Sequence, residues 1–380
     1  MVDKMYVSIP DMKKLFPIIW SEGPRRVTIR LVGESGIGKT QGTIQCAEEL
    51  GCPYILVNVP AEIPEPADLQ GQCQIYEGKT VYVPPFWVVD ANNLAESTDR
   101  QYVILIIDEP SRAPLQILQA LMPMALEYRV GSAPLHPKIR QVWLDNPTES
   151  AQYNVRSLDF AQEERVQTFH LQYDEDAFFA HALDTIKFHP ELFTFLKQFP
   201  EMLWNFDKKI QGPLSPRTAE YGSQACYALD KAKVSFDSHL GILRLSARLG
   251  IEVTHTFVAN LRVQKHCIPP HEILERTFRR EKLNEILAPG NHDLCWMTLW
   301  RLAADISRRE KLTRTQVANV RLFIEDNPSD EINYVFLKTM PAKHGHEILD
   351  PKLLARITDR IKDLPRDHYL TKAKELKEGK

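Results

Sequence analysis

The stretch RVTIRLVGESGIGKTQGTIQCAEEL, starting at Arg26, constrains this chain more than any other. Val27 to Val32 is a short β-branched and apolar run, the composition of a buried strand. It runs into GESGIGKT, which satisfies G-x-x-x-x-G-K-[ST] at every fixed position. A helical pattern follows, with Ile44, Ala47 and Leu50 on one side. Strand, glycine loop and helix in this order make a phosphate-binding loop rather than a glycine-rich turn with a chance lysine. Gly33, Gly36 and Gly38 let the backbone curl so that its amides converge on phosphate oxygens, and the helix N-terminus adds a favourable field for an anion. Lys39 is placed to contact the β- and γ-phosphates and the Thr40 hydroxyl to ligate Mg2+. The candidate nucleotide-binding set is Gly33, Glu34, Ser35, Gly36, Ile37, Gly38, Lys39, Thr40 and Gln41.

A second signal lies at Tyr102 to Pro114, where the apolar run YVILII ends on DEPSRAP. Carboxylates are rarely buried unless paired or coordinated, so two in succession after a core strand are either a solvated turn or a metal and water site. Beside a phosphate loop the second reading gains weight. Asp108 completes the magnesium site, with Thr40 the other protein ligand, and Glu109 polarises the water that attacks the γ-phosphate. Adjacent in a pleated strand, the two side chains are expected to point to different faces. Pro110 has no amide proton and ends the strand ladder, and Pro114 suits the first turn of the helix LQILQALMPMALEY. Arg112 is either a structural salt-bridge partner or a group at a subunit boundary.

The remaining composition narrows the class. The chain has 380 residues, 47 Lys and Arg against 50 Asp and Glu, and a net charge of -3, which gives no broad electrostatic case for nucleic acid or an anionic membrane. No apolar run has the length of a membrane span and the N-terminus lacks the apolar core of a signal peptide, so the expectation is a cytoplasmic protein with no membrane partner. The six cysteines are scattered without a C-x-x-C pair and read as reduced thiols. His344 and His346 in KHGHE have no nearby Cys or Asp partners and read as surface residues rather than metal ligands.

Strands are expected at 27–32, 54–59, 102–107, 140–144 and 166–172, with helices between them, which gives an α/β domain with a parallel sheet over residues 1–172. Apolar spacing then marks helices in EDAFFAHALDTIKF, HPELFTFLKQF, PRTAEYGSQACYAL, SHLGILRLSARLG and THTFVANLRV, a helical lid over 173–262. A break at Pro269-Pro270 opens a further helical, charge-rich region within 263–380, including DLCWMTLWRLAADISRR and PKLLARITDRIKDL. Phe86 and Trp87, after two prolines, either grip a substrate or pack on the body of the domain.

These motifs resemble the AAA+ ATPases, and within them the MoxR branch, whose DE-x-x-RAP signature DEPSRAP matches. The resemblance runs from about residue 10 to 262 and implies a P-loop parallel sheet with an α-helical lid. LEYRVGSAPLHPKIRQVWLDNP is similar to the family's helix end, β-hairpin and sensor 1 strand, which makes Asn146 the asparagine that helps orient the attacking water. LDFAQEERVQTFHL is similar to the segment that carries the arginine finger, which falls on Arg165, with Arg156 the nearest rival. PLSPRTAEYGSQA resembles the start of the sensor 2 helix, which places Arg217 near the γ-phosphate from the lid. PADLQGQCQIYEGKTVYVPPFWVV resembles the insert ahead of the DE strand. The sequence departs from the family at Pro110, usually aliphatic, at Asp145, usually small or neutral, and at Glu164 and Val166, usually Asp and Phe.

The resemblance implies ATP and Mg2+ as ligands, self-assembly into a hexameric ring, and hydrolysis that remodels or activates a protein substrate. Relatives of this kind often work with a separate von Willebrand factor A-type partner. Two other functions stay open: a nucleotide-dependent switch or scaffold with negligible turnover, and a nucleic-acid motor, for which Lys138 and Arg140 of the hairpin are the local hint.

Overall fold

The computed structural model describes residues 4–21, 26–148, 155–203, 214–288 and 291–327, with isolated positions up to 348. The chain divides into two compact units, Met1–Asp174 and Glu175–Lys380.

The first unit opens with β1 (Tyr6–Val7) and α1 (Ile9–Ser21). β2 (Ile29–Val32), α2 (Lys39–Glu49), β3 (Tyr54–Asn58) and the short helices α3 (Val59–Glu62) and α4 (Pro66–Gln70) follow. A hairpin of β4 (Gln72–Tyr76) and β5 (Lys79–Val83) precedes α5 (Phe86–Ser97). Then come β6 (Val103–Asp108), α6 (Leu115–Glu127), a second hairpin of β7 (Arg129–Val130) and β8 (Ala133–Pro134), β9 (Ile139–Asp145), α7 (Phe160–Glu163) and β10 (Gln167–Leu171).

Six strands form one sheet in the order β1-β10-β2-β9-β6-β3, every pair parallel. Parallel sheets are covered on both faces, which is why their strands read as near-continuous apolar runs. Val103 to Ile107 of β6 are all fully buried. Pleating sends Val103, Leu105 and Ile107 to one face, where they join Trp87 and Val88 of α5, Leu118 and Leu121 of α6 and Trp143 of β9 in a single core cluster. Each such side chain contributes about 1.5–3 kcal/mol by leaving water. β9 lies between the loop-bearing β2 and β6, so the three strands deliver their carboxyl ends side by side.

α6 shows how strand polar groups finish a helix. Pro123 sits inside it without an amide proton, and the Gln119 carbonyl one turn back faces an exposed side of the helix. At the far end, where carbonyls lack intrahelical donors, Thr28 donates to the Ala125 carbonyl at 2.7 Å and Gln141 to the Met124 carbonyl at 2.7 Å. Tyr128 closes the helix in the left-handed region, buried beneath the Arg26 guanidinium 3.9 Å above its ring.

The described elements of the second unit are helices, apart from one isolated parallel bridge between Leu203 and Leu214. α8 (Glu175–His181) passes into a π-helical turn at Ala182–Ile186. It continues through α9 (Pro190–Gln198), α10 (Pro216–Lys231), α11 (His239–Leu249) and α12 (Ile251–Gln264). The last described helices are α13 (Pro270–Glu275), α14 (Arg280–Ile286), α15 (His292–Ser307) and α16 (Arg314–Asp326). Phe178, Phe179, Phe188 and Phe193 make edge-to-face contacts at its centre, and α15 packs on α9. The segment PKLLARITDRIKDL and His346 lie outside the described residues.

Candidate nucleotide site

The loop between β2 and α2 is fixed at both ends. The Gly33 amide donates to the Asp145 carbonyl at 3.0 Å, which continues the β2–β9 ladder by one residue. Gly36 and Gly38 then take φ of 83° and 105°, the region that a side chain resists. These two turns bring the N-terminus of α2, the end of a helix that favours an anion, to the carboxyl edge of the sheet. Lys39 is the first residue of α2, and its Nζ is buried in the loop, donating to the Gly33 carbonyl at 2.6 Å and the Glu34 carbonyl at 3.1 Å.

Three further groups gather at Lys39 and its neighbour. Asn146, the residue after β9 and 4% exposed, accepts from Lys39 Nζ through Oδ1 at 2.8 Å and donates from Nδ2 to Glu109 Oε1 at 3.2 Å. The amide orientation follows from chemistry, since an ammonium only donates and a carboxylate only accepts. Thr40 Oγ1 donates to Asp108 Oδ2 at 3.1 Å, at the last residue of β6. A hydroxyl and a carboxylate at this spacing, beside a phosphate loop, are the hard oxygen donors that suit Mg2+, which takes one or two protein oxygens and completes its shell with water and phosphate. Lys39, Thr40, Asp108, Glu109 and Asn146 are thus brought together.

Glu109 departs from the expected pleat. It is not a strand residue: its backbone is left-handed, with φ 57° and ψ 40°. Its amide still reaches the Leu144 carbonyl at 2.8 Å, after which Pro110–Arg112 make a single 3-10 turn. Backbone reversal, not strand alternation, therefore separates the Glu109 carboxylate from that of Asp108. Pro114 is likewise the residue before α6 rather than part of its first turn. Arg112 takes the salt-bridge role, with one terminal nitrogen 2.9 Å from each oxygen of Glu109.

The sequence reading missed a buried tie beside this site. Arg30 of β2 and Asp145 of β9 are 5% and 1% exposed, and Arg30 Nε lies 2.7 Å from Asp145 Oδ2. Asp145 Oδ1 accepts from the Ser111 amide at 3.1 Å and the Ser111 hydroxyl at 2.5 Å. The signal was present: VTIRLV and QVWLDN each put one charge into a core strand, and opposite charges in two such strands suggest a pair.

Arg165 and Arg156 are not part of this cluster among the described residues. Arg165, half-buried after α7, makes no side-chain hydrogen bond or ion pair among the described residues. Arg156 is exposed, and its amide donates to the Ser111 carbonyl at 2.9 Å. Arg217 belongs to the second unit, exposed in the first turn of α10, whose N-cap Ser215 and Thr218 form a capping box. Of the two aromatic candidates, Trp87 is core and Phe86 is 65% exposed. His344 is buried, with Nε2 2.9 Å from the Arg309 carbonyl, and so is not the surface residue expected. Among the described residues no helix is long and apolar enough to cross a membrane.

A parallel sheet with a glycine loop on β2 and an acidic pair two strands away is the arrangement of a P-loop nucleotide-binding domain. Residues 28–141 match the family model of the AAA domain, dynein-related subfamily. That span covers the phosphate loop and DEPSRAP and stops short of Asn146, Arg165 and Arg217. No curated protein matches the chain.

Proposed function

We propose that this protein is a MoxR-type AAA+ ATPase that hydrolyses ATP in a hexameric ring and uses the cycle to remodel or activate a partner protein. The observation that carries the reading is the continuous hydrogen-bonded path from Lys39 through Asn146 to Glu109. It links the group that would hold the γ-phosphate, the group that would orient water and the group that would take the water's proton. In this reading Thr40 and Asp108 hold Mg2+, which neutralises charge on the phosphate oxygens. Arg165 of a neighbouring subunit stabilises charge on the transferred phosphoryl group, and Arg217 reports nucleotide state to the lid at 173–262. A separate von Willebrand factor A-type protein is the kind of partner this branch would engage.

Glu109→Gln tests the chemistry. The amide cannot take a proton, so turnover is expected to fall by about 10²–10⁴ while ATP binding persists. A Glu109→Gln protein that hydrolyses at the wild-type rate would remove Glu109 from the mechanism.

A second reading, a nucleotide-dependent switch with negligible turnover, is favoured by one contact. Arg112 occupies both oxygens of Glu109, the atoms that would otherwise engage water. Measurable steady-state turnover by the wild-type protein excludes it.

A further inference from the structure

Glu109 holds a backbone conformation that a side chain resists, and such strain persists only where the surroundings over-determine it. Its neighbours in β9 and in the turn supply that restraint. The Glu109 amide is bound to Leu144, its carbonyl accepts from the Arg112 amide at 3.1 Å, and two residues on, Ser111 is held by Asp145. Ser111 is fully buried, and its amide and hydroxyl both donate to the same carboxylate oxygen. The other oxygen is committed to Arg30. Asp145 therefore faces β2 with one oxygen and the DEPSRAP turn with the other, while its own carbonyl holds Gly33 at the start of the phosphate loop. It also immediately precedes Asn146, which touches Lys39 and Glu109.

We propose that Asp145 and Ser111 are positioning residues for hydrolysis: Asp145, fixed by Arg30, clamps the turn at Ser111 and so sets where the Glu109 carboxylate stands relative to Asn146 and the phosphate loop. This rests on the ATPase reading of the site. Neither residue has a role in contacting nucleotide. They act through the backbone of Glu109, where a displacement of about 1 Å is enough to cost about a hundredfold in rate. A buried, charged clamp is stiffer than the small neutral residue the family usually carries before the asparagine, because both partners of Asp145 are lost from hydrogen bonding if the turn moves.

Ser111→Ala is the informative variant, since it removes one hydrogen bond and leaves the Arg30–Asp145 pair intact. Turnover should fall about tenfold or more with the ATP KM within about twofold, because the phosphate loop is untouched. Combining Ser111→Ala with Glu109→Gln should then lower the residual rate no further, since Ser111 acts only through Glu109. If Ser111→Ala lowers the melting temperature but leaves kcat unchanged, the tie is structural and the inference is wrong. It is equally wrong if kcat falls by the same factor in the Glu109→Gln background. If wild-type protein shows no turnover that depends on Glu109, the ATPase reading itself fails, which is a different result from an active wild type with an indifferent Ser111→Ala.

Discussion

Two arginines flank the acidic turn, and burial gives them different weight. Arg30 and Asp145 are almost wholly removed from water, so taking away one partner strands a buried charge and costs about 3–5 kcal/mol. Arg112 and Glu109 have side chains 45% and 25% exposed, and a pair in that setting holds its geometry by about 1 kcal/mol or less. Arg112 is therefore a weak restraint on Glu109 rather than a pillar of the fold. It competes with water for the same oxygens, so Arg112→Ala is expected to raise basal turnover, by no more than about fivefold since 1.4 kcal/mol is a factor of ten. Melting temperature should stay within a few degrees. A clear fall in kcat would mean instead that the guanidinium holds the carboxylate in its productive position. The pairing could not be read from the sequence, since DEPSRAP is equally compatible with an arginine directed away from the turn. Lys39 and Thr40 were legible from the fixed spacing of the glycine loop, and Asp108 and Glu109 from two carboxylates closing an apolar run.

At the level of elements, legibility followed burial. β2, β6 and β9 were marked by apolar runs because both faces of a parallel sheet are covered, and they lie within two residues of the expected limits. β1 was not marked. Two residues carry no periodicity, and Tyr6–Val7 is a strand only because β10 offers partners at His170 and Leu171. The hairpin of β4 and β5 falls in the stretch read as an insert, to which no strands were assigned, although Glu77 and Gly78 between two β-rich runs are a two-residue turn, both with positive φ. All ten strand residues are exposed, so no core pattern reveals them. That exposure gives a prediction. Cys73 on β4 is the exposed thiol of six, and the other five are buried. Burial pushes Cys46 on α2 and Cys295 on α15 up to about 12 and raises Cys52, Cys226 and Cys267 as well. For Cys46 and Cys295 a shift from 9.0 to about 12 means about a thousandfold less thiolate at neutral pH. A maleimide should label Cys73 alone in the native protein and all six after denaturation, as counted by mass. Rapid native labelling of a second cysteine would show that a core helix opens on the labelling timescale.

For the whole molecule, the proposed hydrolysis raises the question of which chain supplies the arginine that would stabilise the transition state. Lys39, Asn146 and Glu109 are assembled within one chain, but Arg165 makes no contact with them among the described residues. A head-to-tail ring would supply it, because a heterologous interface brings one surface of a subunit against a different surface of the next. Activity per subunit should then rise with protein concentration, since a dilute chain lacks a group that is worth about 10³–10⁵ in rate where such fingers have been removed. Complementation is the sharper form of this test. Glu109→Gln protein keeps the arginine and loses the base, and Arg165→Ala protein keeps the base and loses the arginine. Each alone should be nearly inactive. Mixed in equal amounts, about a quarter of the interfaces pair an intact base with an intact arginine when subunits exchange freely around a ring. The mixture should therefore regain up to about a quarter of wild-type turnover. Arginine acting within its own chain gives no recovery on mixing, because every site then carries a lesion in its own subunit. Arg165→Ala with undiminished activity would transfer the role to Arg156, whose backbone is already bound to the turn at Ser111, and the same mixing experiment with Arg156→Ala would then decide whether that arginine acts across the interface.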